Sequence, residues 1–192
     1  SYGGEPAIAA YACIAYMICI IYLIFQGVGD GSQPLISRCY GEQDFARMRS
    51  FRRLAYGFAM LLAVIGCILL YVTRDSLGLL FGASQEVNIE VAEIIPIFLV
   101  SVPFVAVTRV TTASFYASEK SALSYVLTFV EPVLMLVLML LLPPLLGGQV
   151  MIWWSTVFAR ILSAVLALAL KSYVDRHDRL LHPSRGQTVS AC

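Results

Sequence analysis

The chain has 192 residues, of which 59% are apolar and only 13% charged, with a formal net charge of +1. A soluble domain carries about 25% charged residues, and a balanced charge offers no electrostatic footprint for nucleic acid. The apolar residues fall in long unbroken blocks, which points to a membrane protein rather than a soluble one.

In chain order the blocks are Ala7 to Gly29, continuing toward Arg38; Leu54 to Val72; Ile94 to Ser118, which contains Arg109; Ser121 to Leu142, which contains Glu131; and Gln149 to Leu170, which contains Arg160. Each has about the length, roughly 20 residues, at which a helix crosses a hydrocarbon core of roughly 30 Å. The runs are continuous, not alternating, so they do not read as barrel strands. This predicts an all-α membrane protein, a bundle of five transmembrane helices over about residues 7–38, 44–73, 86–118, 121–142 and 149–173, with a polar cytoplasmic tail at 175–192.

Basic residues set the orientation. Arg38, Arg47, Arg49, Arg52 and Arg53 crowd the first connection, and Lys171, Arg176, Arg179 and Arg185 follow the last block; these and Lys120 are read as cytoplasmic. The Thr73 to Glu93 connection, richer in Asp and Glu, and the N-terminus are read as external. A chain that begins at Ser1, with no signal peptide and an outside start, implies at least one helix before it. Gly78 and Gly82 predict a loop at the external interface, and Pro143 with Pro144 an end to the fourth helix. Pro96 and Pro103 predict kinks in the third. Trp153 and Trp154 are expected in an interfacial aromatic belt.

One helix carries unusual chemistry in "FQGVGDGSQP". Gly27 and Gly31 are four apart and share a face, where small residues allow close helix approach; Gly29 lies on another face and adds flexibility. Pro34 loosens the ladder, and Gln26, Asp30 and Gln33 place polar groups at the inner end. Close packing and a hinge both account for this pattern. A phosphate-binding loop does not, because no βαβ pattern surrounds it.

Arg109, Glu131 and Arg160 interrupt otherwise uncharged spans. Counted from the cytoplasmic ends they lie at depths of about 13 to 17 Å, in one layer near the bilayer middle. Such residues usually face the bundle interior and mark substrate or ion pathways. Glu131 is therefore either a structural partner of Arg109 or Arg160, or a group that titrates or meets a cation during transport. The cysteines (Cys13, Cys19, Cys39, Cys67 and Cys192) have no metal spacing and read as small apolar residues. His177 and His182 read as solvated. The tyrosines, Tyr22 among them, read as packing, with stacking of organic cations as a second possibility. No metal site, cofactor loop or nucleophile–base pair stands out, so an enzyme is not expected.

"YGGEPAIAAYACIAYMICIIYLIFQGVGDGSQPLISRCYGEQD" resembles the first long motif of a lobe in the multidrug and toxic compound extrusion (MATE) family. The matching positions are Gly4, Ala7 to Tyr11, Gly27, Gly31, Gln33 to Ile36, Tyr40 and Gly41. "LLFGASQEVNIEVAEIIPIFLVSVPF" and "FVEPVLMLVLMLLLPPLLGG" are similar to later helices of that lobe. The resemblance implies the C-terminal half of a twelve-helix, two-lobed transporter, lacking the first helix of its lobe. Its partners would be the N-terminal lobe of the same chain, the lipid bilayer and a small organic substrate. It implies an H⁺- or Na⁺-coupled antiporter in the plasma (inner) membrane, exporting organic, often cationic compounds, without a cofactor. A lipid or lipid-linked oligosaccharide flippase of the same superfamily and a non-transporting membrane scaffold are the alternatives.

Overall fold

An apolar run in lipid must satisfy its backbone internally, and a helix does so within one segment. The computed structural model, which describes residues 4–80, 82, 84–146 and 150–181, has five helices: α1 (Gly4–Gly41), α2 (Phe45–Leu80), α3 (Gln85–Ala117), α4 (Ser121–Leu146) and α5 (Val150–Leu181). No strand occurs among the described residues. All five helices are long and apolar enough to cross a membrane. The protein is an all-α, multi-pass membrane protein.

The helix α3 packs against all four others, while α1 pairs with α2 and α4 with α5. The bundle is thus two three-helix groups sharing α3. Half of the α3 span is buried, against 6% of the α4 span. Its composition explains how a helix can be enclosed on every side. Ser101, Thr108 and Thr111 are buried, and each donates its hydroxyl to a carbonyl one turn back (Phe98, Phe104 and Val107). Polar side chains satisfied this way leave no hydroxyl donor unmet when they are packed over. On α2, Ala55, Ala59 and Ala63 recur every fourth residue and meet Val102, Val105, Ala106 and Val110 of α3. Small residues at that spacing bring the two helices close together. Leu54, Ile68, Phe129, Leu136 and Leu140 lie on exposed faces, suited to lipid.

Glycine packing differs from the sequence expectation. A Cβ on Gly27 or Gly31 would meet no described atom within 4 Å, whereas one on Gly29 would lie 3.1 Å from Ala113 Cβ. Gly29 is the close-approach residue, because its face and not the Gly27–Gly31 face turns toward α3.

Several boundaries differ too. The predicted first connection shrinks to Glu42–Asp44, and most of its arginines ride on helix ends. There the Arg47 N–H donates to Asp44 Oδ1 at 3.0 Å, an N-cap for α2. Residues 74–80 continue α2 instead of forming a loop. Leu77 is buried with Val87 and Val91, and Asn88 Nδ2 donates to the Asp75 carbonyl at 2.6 Å. Pro143 and Pro144 lie inside α4, which ends at Leu146; a proline costs a helix one bond but fixes a helical φ. Trp153, near the start of α5, is buried against Tyr11 and Phe98 with centroids at 5.3 and 6.0 Å. Residues 175–181 of the expected tail are helical. Residues 147–149 and 182–192, with His182, Arg185 and Cys192, lie outside the described residues.

Within α3, Pro103 removes the N–H that would bond the Leu99 carbonyl. The Cys67 thiol of α2 donates to that carbonyl at 3.7 Å.

Candidate functional site

The midplane residues from three helices converge. Glu131 sits ten residues after the start of α4, almost three turns in, on the side facing α3 and α5. Its Oε2 lies 4.0 Å from Arg109 Nη2 on α3, and its Oε1 lies 3.9 Å from Arg160 Nε on α5. From α1, the Tyr22 hydroxyl donates to Glu131 Oε1. One carboxylate thus has partners on three other helices.

Tyr22 does more than donate. Both guanidinium groups lie over its ring, Arg109 at 4.5 Å and Arg160 at 5.4 Å from the centroid. A ring face attracts cations, and more strongly away from water. The tyrosine therefore stabilises both arginines through its face and the carboxylate through its hydroxyl.

The two arginines differ in setting. Arg160 is 8% exposed, donates through Nη1 to Ser101 Oγ at 2.9 Å, and lies 6.0 Å from the Phe98 ring centroid. It is held by α3 as firmly as by α4. The Arg109 side chain is 29% exposed and has no hydrogen-bond partner among the described residues. It borders a cavity of about 230 Å³ between α3 and α4, which Glu131 also lines.

The remaining candidates lie elsewhere. Gln26 Nε2 donates to Asp30 Oδ1 at 2.8 Å, one turn apart on an exposed face of α1. Gln33 and Pro34 follow on the same helix, half-buried and exposed respectively. None of the four joins the midplane cluster. Gly29 packs beside it, since Arg109 O lies 3.6 Å from where its Cβ would be.

Neither Tyr22 nor Ser101 is marked as a site residue by the sequence. Tyr22 was one of many tyrosines, and a serine in an apolar run carries no charge to mark it. Depth does not find Ser101 either, since it stands eight residues before Arg109 on α3, about 12 Å along the helix, and Arg160 reaches it only by the extension of its side chain.

A protein-family model described as MatE matches residues 1–142, which take in α1 to α3 and most of α4. The comparisons with curated proteins and with solved structures gave no match.

Proposed function

The chain belongs to the MatE family of membrane transporters, and from that premise we propose that it exports amphipathic organic compounds in exchange for an inward cation, H⁺ or Na⁺. One observation carries this reading: Glu131 is held by Tyr22, Arg109 and Arg160, each from a different helix. A shift of any one helix changes the charge that Glu131 faces. A carboxylate so placed can exchange a guanidinium for a proton or a metal cation as the bundle changes shape. Alternating access of this kind needs a second lobe, and the other half of such a transporter would pack against these helices. The distribution of Lys and Arg supports a cytoplasmic C-terminus.

A flippase reading has its own support. Two guanidiniums against one carboxylate leave the midplane cluster cationic, which suits an anionic cargo better than a cationic one.

The test is gradient-driven transport. Proteoliposomes holding the full-length protein are loaded with a fluorescent amphiphile, and a proton or sodium gradient is imposed in turn. Antiport predicts export under one gradient and its loss in Glu131→Gln while that variant still folds. Export that persists in the variant places coupling elsewhere. Absence of export under either gradient rejects antiport.

A further inference from the structure

Deepening the transporter reading on which it rests, we propose that the cavity between α3 and α4 docks an oxyanion, the carboxylate or phosphate of an amphipathic cargo, on Arg109. Charge is the first reason. Arg109 and Arg160 contribute +2 and Glu131 −1, so the cluster carries one uncompensated positive charge inside a membrane-spanning bundle. Such a charge is costly in hydrocarbon unless something neutralises it.

The second reason is what Arg109 lacks. Its closest carboxylate oxygen is 4.0 Å away, beyond hydrogen-bond range, and its Nε is buried with no partner. Arg160 Nε is likewise without a partner, but its Nη1 donates to Ser101, whereas no nitrogen of Arg109 donates to a described residue. A guanidinium offers five donors in a planar fork that matches a carboxylate or phosphate with two parallel bonds. Arg109 Cζ lies 4.5 Å from the Tyr22 ring centroid, a contact that occupies no oxygen acceptor and leaves its N–H donors for a ligand.

The third reason is the cavity. Its wall includes Thr108, Thr112 and Thr128 beside Arg109 and Glu131. Each threonine hydroxyl already donates to a carbonyl one turn back (Phe104, Thr108 and Ser124). No hydroxyl proton is left to compete, so Arg109 is the donor an oxyanion meets. At about 230 Å³ the space falls below the roughly 300–1,000 Å³ of a pocket for a whole drug-sized molecule. It fits a headgroup, and Leu127, Pro132 and Met135 add apolar wall for the attached chain.

The experiment is equilibrium binding to the full-length protein in phosphatidylcholine nanodiscs, with no gradient. Three dansyl probes share one alkyl chain and end in a carboxylate, a phosphate or a trimethylammonium group. Both anionic probes are expected to bind at least about tenfold tighter than the cationic one, the scale of a charge-assisted hydrogen bond. Arg109→Gln should weaken them by about tenfold or more, and Arg109→Lys by less, since it keeps charge but loses the fork. Glu131→Gln should tighten them, because it removes the local negative charge. A loosened bundle would weaken binding in both neutralising variants, so opposite signs identify a local charge effect.

Tighter binding of the trimethylammonium probe, or an anion affinity that ignores Arg109→Gln, overturns the proposal. Phosphatidate added to the nanodiscs separates the two sources of the oxyanion. Displacement of the probes points to a lipid headgroup, and lack of displacement to a solute. Because no transport is measured, an Arg109-dependent anion site in a protein that exchanges no cation would reject antiport alone. Cation exchange without head-charge selectivity would reject this site alone.

Discussion

Arg52 Nη2 donates to both carboxylate oxygens of Asp175 at 2.7 Å, joining the first turns of α2 to the last turns of α5. These helices belong to different halves of the bundle, one packed on α1 and α3, the other on α3 and α4. Beside this pair, Lys171 Nζ lies 4.6 Å from the Tyr56 ring centroid, and the Tyr56 hydroxyl shares a hydrogen bond of 2.6 Å with Thr111 Oγ1. Near the start of α2 and the end of α5, the two halves are therefore joined by polar contacts.

The Arg52–Asp175 pair is testable by mutation. Side-chain exposures of 7% and 20% place the pair between a buried and a surface ion pair. Removing one partner strands the other, so Asp175→Leu or Arg52→Met alone should lower stability by about 2–3 kcal/mol. The double variant should lose less than the sum of the two, since it leaves no buried charge unpaired. Unfolding midpoints of the four proteins in one detergent give the coupling. Additive losses would mean that the pair contributes nothing as a pair.

Glycine packing separates two faces of α1. Gly29→Ala would push a methyl against Ala113 Cβ at 3.1 Å, a contact between two backbone-anchored atoms that cannot swing away. Overpacking of this kind costs about 1–3 kcal/mol, which outweighs the roughly 1 kcal/mol of helix propensity gained. Gly27→Ala and Gly31→Ala meet open space and keep the propensity gain. Thermal unfolding should rank Gly29→Ala below the wild type and the other two at or above it. The reverse order would mean that the Gly27–Gly31 face is the packed one.

The helical architecture was legible in the sequence because hydrocarbon leaves so few backbone options. Five long apolar blocks give five helices, and charge depth brings Arg109, Glu131 and Arg160 into one layer. What was not legible depends on rotation and on neighbours. Which of Gly27, Gly29 and Gly31 faces α3 depends on the azimuth of α1, which spacing alone leaves open. Asp175 reads as the start of a polar tail until Arg52 is known to reach it. Gly78 and Pro143 are breakers by local chemistry, yet burial of Leu77 and a fixed helical φ carry their helices onward.

Tyr22 offers a way to divide the midplane cluster into its parts. Tyr22→Phe keeps the ring beneath Arg109 and Arg160 but removes the donor to Glu131. The loss should be about 1–3 kcal/mol, the cost of one charge-assisted hydrogen bond. Tyr22→Leu removes the ring as well and should lose about 1–2 kcal/mol more, since two cation–π contacts go with it. Unfolding midpoints that are equal for the two variants would show that the ring face contributes nothing.

Cys67 is a residue that composition marks as a small apolar filler, and α3 gives it a task. Pro103 leaves the Leu99 carbonyl without its helical donor, and the Cys67 thiol supplies one at 3.7 Å. Thiols are weak donors, so Cys67→Ser, with a stronger donor of similar shape, should hold or raise the unfolding midpoint. Cys67→Ala leaves the carbonyl unmet inside the bundle and should cost about 1 kcal/mol. If the thiol only fills space, the order reverses, with Cys67→Ala the milder change and Cys67→Ser penalised for burying a hydroxyl. The comparison can be made on otherwise native protein in detergent, and Pro103→Ala in the same background adds a control. With the helical N–H restored, Leu99 no longer needs Cys67, and the difference between the Ala and Ser variants should shrink.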